Sequence, residues 1–488
     1  MTIITKVCYN MRILRKIMVG RKKEIEELLK SYNSAESEFV AVYGRRRVGK
    51  TFLIRNVFAE KFAFQHSGLA KGGMKKQLRQ FTSSLREYGW TVRHPLVDWM
   101  DAFDELKEVI KASPLEKKVV FIDEMPWLDT PRSDFITALE SFWNGWASAR
   151  ADVLLVVCGS AASWIVKKLF KNKGGLHNRV TRRIHLLPFT LAECQEYARE
   201  RSLSMSRKDI AECYMALGGI PYYWSHLEKS NSVPQNFDRM FFADDAPLKN
   251  EFAELYSSLF RKTKIHLKVV EALGKKKVGM TREELLGRIR IASSGSLSQC
   301  LEALEECGFI RKYKVIGTKK KFVYQLVDCF TLFHFQFLCE MDGKDEHWWS
   351  RTVTSPLQAN WRGLAFERIC LMHVPQIKSA LGISGVLTNV HSWFHAADSV
   401  YPTGAQIDLL LDRADNVINL CEMKYASGPY AIDKTVDSEI ASKVETFKAL
   451  SKTQKAIHVT FVTSRGLVHN SYWNDIQSEV TLDDLFRE

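Results

Sequence analysis

Phe39-Val40-Ala41-Val42-Tyr43-Gly44-Arg45-Arg46-Arg47-Val48-Gly49-Lys50-Thr51-Phe52 decides how this chain is read. The apolar run before Gly44 is short enough for a buried strand. Gly44 to Thr51 is a complete G-x-x-x-x-G-K-[ST] loop, and the residues from Thr51 onward have helical spacing. Two glycines let backbone wrap closely around phosphate, and the helix N-terminus presents unpaired N–H donors to an anion. In that setting Lys50 reaches the outer phosphates and Thr51 places its hydroxyl on Mg²⁺. The expected nucleotide contacts run from Gly44 through Phe52.

A second stretch fits the first. Lys118-Val119-Val120-Phe121-Ile122-Asp123-Glu124 is an apolar strand ending in two acids, the Walker B pattern. Asp123 is expected to hold Mg²⁺, directly or through water, and Glu124 to polarise the attacking water. Alone, such a strand end usually marks a solvated turn; downstream of a phosphate loop it reads as the other half of a nucleotide site.

The bulk composition bounds the rest. At 488 residues the chain has material for about three domains. Its formal net charge of +14 suggests a polyanionic partner, nucleic acid first, with a merely basic surface as the plain alternative. The ten cysteines are scattered singly, with no C-x-x-C pair, so neither a zinc ladder nor a disulfide framework is indicated. The longest uncharged apolar stretch, 153–166, is too short to span a bilayer, no signal-peptide pattern opens the chain, and a reducing cytoplasm fits. The stretch before Met11 and Met18 leaves the start codon open.

Strands and helices alternate through the first part. A glycine turn at Gly20 precedes an amphipathic helix, 133–146 reads as a helix, 152–160 as a buried strand and 184–187 as a shorter one. Continuous apolar strands alternating with helices predict a parallel sheet covered on both faces. From Thr190 the pattern becomes helical. Thr190-x-x-Glu193 and Ser206-x-x-Asp209 are helix starts, and Gly218-Gly219-Ile220-Pro221 is a stop, together a helical lid. Residues 229–236 are the best linker. Residues 262–330 then predict three helices and a two-stranded ribbon, the winged helix-turn-helix arrangement. The wing carries Arg311, Lys312, Lys314, Lys319, Lys320 and Lys321, which suit phosphate contact or a wing that packs structurally. The aromatic-rich stretch from Phe330 to Trp349 reads as packing material.

A third constellation lies near the C-terminus. Ile407–Leu411 and Val417–Lys424 read as adjacent strands. Glu422 and Lys424 share a face, and an antiparallel partner brings Asp408 beside them. The preceding helix can present Glu367. Carboxylates there would bind a divalent metal, and Lys424 would orient or deprotonate a water. The pattern is loose, and solvated charges on a strand are its plain alternative.

With these motifs in hand the chain resembles a family. Val19-Gly20-Arg21 with Glu24, the Gly44–Thr51 loop, Phe121–Trp127, Cys158-Gly159-Ser160 and Gly218–Tyr222 are similar to prokaryotic AAA-type ATPases near the STAND lineage. The part after them resembles a domain of unknown function fused to these ATPases and placed in the PD-(D/E)xK nuclease-like group. The resemblance implies an α/β architecture: a P-loop ATPase core with lid over 17–228, a winged helix over 237–330 and a nuclease-like domain over 331–488. It implies Ser160 as a sensor of the γ-phosphate and Arg179 as an arginine finger, with Arg182 and Arg183 as alternatives. Gln406-Ile407-Asp408 stands where the nuclease pattern has Pro-Asp, so DNA turnover does not follow.

Together these expectations describe a cytoplasmic switch that binds and hydrolyses ATP with Mg²⁺. In this reading Lys50, Glu124 and Arg179 act on ATP, and Asp408, Glu422, Glu367 and Lys424 form a second divalent-metal site. DNA, a protein partner and self-association are the expected partners, and no membrane is. Two other readings stand beside it: an ATP-gated, metal-dependent DNA nuclease, and a non-hydrolysing STAND-type signalling switch.

Overall fold

The computed structural model of the chain describes residues 18–488 except 93, 261–262, 291–293, 315–321, 341–343 and 402–403. Two compact units form, one ending at Pro188 with a short segment from Ser257, the other beginning at Phe189 and running to Glu488.

The first unit alternates as its sequence period requires: α1 (Lys22–Tyr32), β1 (Glu38–Tyr43), α2 (Lys50–Val57), β2 (Phe62–Ser67), α3 (Met74–Glu87), α4 (Trp99–Ala112), β3 (Lys118–Asp123), α5 (Phe135–Gly145), β4 (Val153–Gly159) and β5 (Arg182–His185). The five strands are parallel in the order β2-β3-β4-β1-β5. β4 is buried at every position, as a central strand with both faces covered must be. Alternate residues divide between two layers. Phe39, Ala41, Val120, Ile122, Leu155 and Val157 join the core of α3, α4 and α5, while α1 packs on β1 and α2 on β4. Lys117 pins the N-terminal ends of the strands, its ammonium donating to Ser34, Glu36 and Ala151 carbonyls at 2.7–2.9 Å.

Two element ends differ from expectation. α5 starts at Phe135 rather than 133, because Arg132 and Asp134 take left-handed backbone (φ 61° and 50°) and the chain turns there before it can coil. The last strand is Arg182–His185 rather than 184–187; pairing with β1 through Val40↔Arg182 and Tyr43↔His185 sets its bounds.

The second unit opens with α6 (Leu191–Glu200) and α7 (Arg207–Leu217), each started by a capping box, Thr190 with Glu193 and Ser206 with Asp209. α7 stops at Gly218, whose φ of 56° ends the coil. Gly219 is required by close approach: a Cβ there would lie 1.9 Å from the Phe189 carbonyl oxygen, and the Phe189 N–H donates to the Gly219 carbonyl at 2.7 Å. The expected linker 229–236 is instead folded. Ser232 caps the helix Val233–Phe237, and the Asn236 amide donates to the Glu228, Asn231 and Ser232 carbonyls.

Helices α8 (Thr263–Gly274), α9 (Arg282–Ile289) and α10 (Ser294–Glu306) follow, with a small antiparallel sheet in the order β6-β8-β7: β6 (Met280–Thr281), β7 (Ile310–Lys314) and β8 (Phe322–Leu326). β6 has no counterpart in the sequence reading, which expected two strands. Its start at Gly279 (φ 86°) lets the backbone come so near β8 that a Cβ would lie 2.2 Å from the Tyr324 carbonyl oxygen. The last layer contains α11 (Pro356–Met372), β9 (Thr388–His395), β10 (Ala405–Arg413), β11 (Val417–Lys424), α12 (Lys434–Ser451), β12 (Ala456–Thr463) and β13 (Ser478–Thr481). Their sheet runs β13-β12-β11-β10-β9, with β9, β10 and β11 antiparallel and β12 and β13 parallel to β11. The aromatic stretch packs as expected: Phe333, Phe337 and Trp349 are buried with Phe237 and Phe241, ring centroids 4.8–5.8 Å apart. Burying each such ring contributes about 1.5–3 kcal/mol.

Candidate functional site

Gly44 to Gly49 joins β1 to the N-terminus of α2, so the loop sits at the C-terminal edge of a central parallel strand, where ligands of open α/β sheets bind. Its backbone needs glycine twice. Gly44 has φ 147° and a Cβ there would lie 2.3 Å from the Leu186 carbonyl oxygen; Gly49 has φ 91° and caps α2. Arg47 also takes left-handed backbone (φ 71°). Arg45, Val48 and Lys50 are buried, Arg46, Arg47 and Thr51 half-buried, and Phe52 is exposed. The Arg21 guanidinium donates to the Val48 carbonyl at 3.3 Å, bracing the loop from the start of α1.

Lys50 folds back under this loop. Its ammonium donates to the Gly44 and Arg45 carbonyls at 3.0 and 2.8 Å and to the Ser160 hydroxyl at 3.1 Å. Ser160 in turn donates its hydroxyl to Glu124 Oε1 at 2.6 Å and its backbone N–H to Oε2 at 3.1 Å. A continuous chain therefore runs from ammonium to hydroxyl to carboxylate. Gly159 makes it fit: Pro126 packs so closely there that a Cβ would lie 2.5 Å from Pro126 Cδ. Glu124 itself has φ 46°, an uncommon conformation for a non-glycine residue and the kind of strain that concentrates at functional sites.

Asp123 sits beside this chain. Its Oδ2 accepts from the Thr51 hydroxyl at 2.9 Å and from Ser67 at 3.5 Å; Oδ1 accepts the Glu124 N–H at 2.9 Å and the Cys158 thiol. Burial and the Asp123 charge push the Cys158 thiol well up, so it stays a protonated donor. A hydroxyl and a carboxylate oxygen at this spacing are hard donors of the kind Mg²⁺ takes alongside phosphate oxygens and water, so Thr51 and Asp123 fit that ion. Next to the loop, His185 stacks on Tyr43 with centroids 4.6 Å apart, and its pKa is lowered by burial and then by Lys50.

Sequence reasoning missed His185 and gave Cys158, though part of a quoted motif, no role of its own. Only strand register places the thiol and the histidine here.

Arg179 stands apart from these contacts. It lies on an exposed turn, its backbone N–H donating to the Leu176 carbonyl, and among the described residues no side-chain bond ties it to Lys50, Thr51, Asp123 or Glu124. Arg182 pairs with Glu27 at 3.5 Å and Arg183 lies over the Phe170 ring at 4.6 Å.

The C-terminal constellation is interleaved with lysines. Asp408, Glu367 and Glu422 were expected to share a metal; Lys277 is shared by the first two, and Glu422 has two lysines beside it. Lys277 bonds Glu367 Oε1 at 2.7 Å and lies 3.9 Å from Asp408 Oδ2, whose Oδ1 accepts from Gln406 at 2.6 Å. Glu422 is flanked by Lys424 at 3.0 Å and Lys443 at 2.9 Å. Among the described residues no group of three or more His, Cys, Asp or Glu side chains is arranged to hold a metal ion. Glu367 is pushed up to about 7, by burial first and the Asp408 charge second, which weakens it further as an anionic ligand. Burial works against the charge on Lys424, yet Glu422 overrides it and leaves the pKa raised. That makes Lys424 a poor base for water. The signal missed was cationic: Lys277, in the turn before β6, and Lys443, on α12, both arrive from outside the motif.

The wing also differs. Arg311 is not free for phosphate. It donates to Gln325 and Ser392, both at 2.6 Å, stacks on Tyr313 and is pulled down to about 10 by burial. Tyr313 and Val323 join the core of the C-terminal sheet with Trp393, Leu410 and Phe447. The β7–β8 ribbon therefore packs on β9. Lys312 lies over the Phe322 ring at 4.5 Å and Lys314 is exposed. Lys319, Lys320 and Lys321 lie outside the described residues.

Residues 18–227 match the ATPase domain family described as predominantly from Archaea. The chain carries an archaeal-type ATPase domain. It is also similar to an uncharacterized protein of Methanocaldococcus jannaschii, 22% identical over 424 residues, covering 84% of this chain and 88% of that one. Among solved structures, the Walker-type ATPase of Pyrococcus abyssi aligns with a TM-score of 0.47 at 16% identity, over 66% of this chain and 96% of its own. The ORC2 protein of Aeropyrum pernix, in its ADPNP–ADP complexes, aligns at 0.40 and 13% identity over 72% and 95%. No helix among the described residues is long and apolar enough to cross a membrane.

Proposed function

We propose that the chain is an ATP-hydrolysing switch whose nucleotide site is the Gly44–Thr51 loop with Asp123, Glu124 and Ser160. The observation that carries this is the hydrogen-bonded chain from Lys50 through Ser160 to Glu124, set beside the Thr51–Asp123 pair. The loop amides and Lys50 bind the phosphate tail. Thr51 and Asp123 would hold Mg²⁺, which would neutralise charge on the phosphate oxygens. Glu124 accepts a proton from the attacking water, and Ser160 holds that carboxylate in place while bonding to the lysine that meets the γ-phosphate. A terminal phosphate competes with Ser160 for Lys50, so nucleotide state alters what holds Glu124. Arg179 acts as a finger only toward the nucleotide of a second copy in this reading.

Beyond the ATPase domain we read residues 237–330 as a winged helix and 331–488 as a PD-(D/E)xK-like fold, with 17–228 as the ATPase core and lid. The lysine pairing of Asp408, Glu367 and Glu422 favours a docking role for the last domain over cleavage. Its target, reached under control of nucleotide state, is DNA or a protein bound to it.

Steady-state ATP hydrolysis by the wild type and Glu124→Gln tests the proposal. The variant is expected to bind ATP normally and to hydrolyse it about 100-fold more slowly, the size of general-base effects. Equal rates would remove Glu124 from the mechanism.

A further inference from the structure

Charge is distributed very unevenly along the chain. Residues 1–188 contain 33 Lys and Arg against 19 Asp and Glu, whereas residues 189–488 contain 37 of each. The whole excess of +14 therefore belongs to the first 188 residues. Half of that excess lies in one short segment: residues 153–188 hold seven Lys and Arg and no Asp or Glu. The ribbon that the motif reading made the cationic surface has its arginine engaged by Gln325 and Ser392.

The segment's geometry keeps these charges outward. It leaves β4 at Ser160, coils through Ala162–Ile165 and Val166–Phe170, and returns as β5. Lys168 lies 3.6 Å from Asp129, and Arg182 is paired with Glu27. Lys167, Lys171, Lys173 and Arg179 are exposed and have no acidic partner among the described residues. The ends of the segment are drawn together by one ring: Phe170 packs edge-on against Tyr43 at 5.2 Å, and Arg183 lies over the Phe170 ring at 4.6 Å. Cations from the helix end and from the edge strand thus share a surface that rests on Tyr43, the residue before the phosphate loop.

We propose that this surface binds the phosphodiester backbone of double-stranded DNA. Resting on the nucleic-acid half of the function proposed above, the inference moves the contact from the wing to the ATPase unit. A field of one sign, built from flexible lysines, suits a repeating polyanion. Base reading is not provided for: the Asn172 side chain bonds within the loop, to the Lys168 carbonyl and the Gly174 N–H, and binding is sequence-independent. Within this segment the lysines follow Ser160, the residue that bonds Glu124.

The test is fluorescence anisotropy of a labelled DNA duplex of random sequence, titrated with the full chain at several salt concentrations. The variants are Lys167→Gln/Lys171→Gln/Lys173→Gln together and, on the wing, Lys312→Gln/Lys314→Gln. Three lost phosphate contacts should lower the slope of log affinity against log salt by about 2–3 and weaken binding on the order of tenfold near 0.1 M salt. The wing pair should bind like the wild type. An unchanged slope in the triple variant, loss of binding in the wing pair instead, or no binding by the wild type at low salt would each overturn the proposal. So would polyglutamate displacing the duplex at equal charge, which would point to an acidic protein. Calorimetric ATP binding by the same triple variant reads the nucleotide site separately, so failure there cannot be mistaken for failure of the DNA surface.

Discussion

Ser160→Ala removes one oxygen and breaks two bonds. The hydroxyl accepts from Lys50 at 3.1 Å and donates to Glu124 at 2.6 Å. Both are charge-assisted, and such bonds contribute about 1.5–3 kcal/mol each. Lys50 keeps the Gly44 and Arg45 carbonyls, and Glu124 keeps the Ser160 backbone N–H. Ground-state binding of ATP, which relies on loop amides and Lys50, should therefore change by less than about threefold. Orientation of the carboxylate in the transition state should lose most of one such bond, and at 1.36 kcal/mol per decade that is about a 10- to 100-fold fall in kcat. A coupled-enzyme phosphate-release assay gives kcat and KM, and calorimetry gives ATP affinity. Ser160→Thr restores the hydroxyl and should recover most of the rate. A folded Ser160→Ala protein with kcat within twofold of the wild type would refute the coupling of Lys50 to Glu124. A loss confined to KM would reduce Ser160 to a binding contact.

Other perturbations have defined outcomes. Arg311→Ala strips the hydrogen bond to Gln325 within the β7–β8 ribbon and the one to Ser392 on β9, and should destabilise the chain by about 2–4 kcal/mol in urea unfolding followed by tryptophan fluorescence. Acid should weaken both units. His66 and His373 are held down to about 4 by burial, against 6.5 for a free imidazole. His373 accepts the Leu191 N–H at 3.1 Å on Nε2 and bonds the Ile369 carbonyl through Nδ1. Between those values the unfolded chain binds protons the folded one refuses. The stability is thus present above about pH 6.5 and falls as pH drops toward 4, by up to about 3 kcal/mol per histidine. Urea midpoints at pH 7 and pH 5 check this, and His373→Gln should flatten the dependence.

How legible each part was follows from how local its determinants are. The phosphate loop, the Walker B strand and the capping boxes at Thr190 and Ser206 are local: glycine backbone freedom, strand apolarity and three-residue spacing suffice to place them. Asp134 and Arg132 shortened a predicted helix because left-handed turns leave no hydrophobic pattern. Residues 229–236 looked like a linker from polarity, yet Asn236 bonds three carbonyls and folds the turn. Cys158, His185, Lys277 and Lys443 reach their sites through sheet register or tertiary packing, which no spacing along the chain encodes. At Asp408 the carboxylates were readable and, for that reason, the lysines paired with them were not.

One measurement bears most directly on the central claim that the Gly44–Thr51 loop encloses a triphosphate. Calorimetric titration of Mg²⁺–ATP into the full chain and into Lys50→Ala should show saturable uptake by the first and at least about tenfold weaker uptake by the second, since a charge-assisted contact to phosphate is lost. Absence of uptake by the wild-type chain, or equal affinity in the two proteins, would contradict the account.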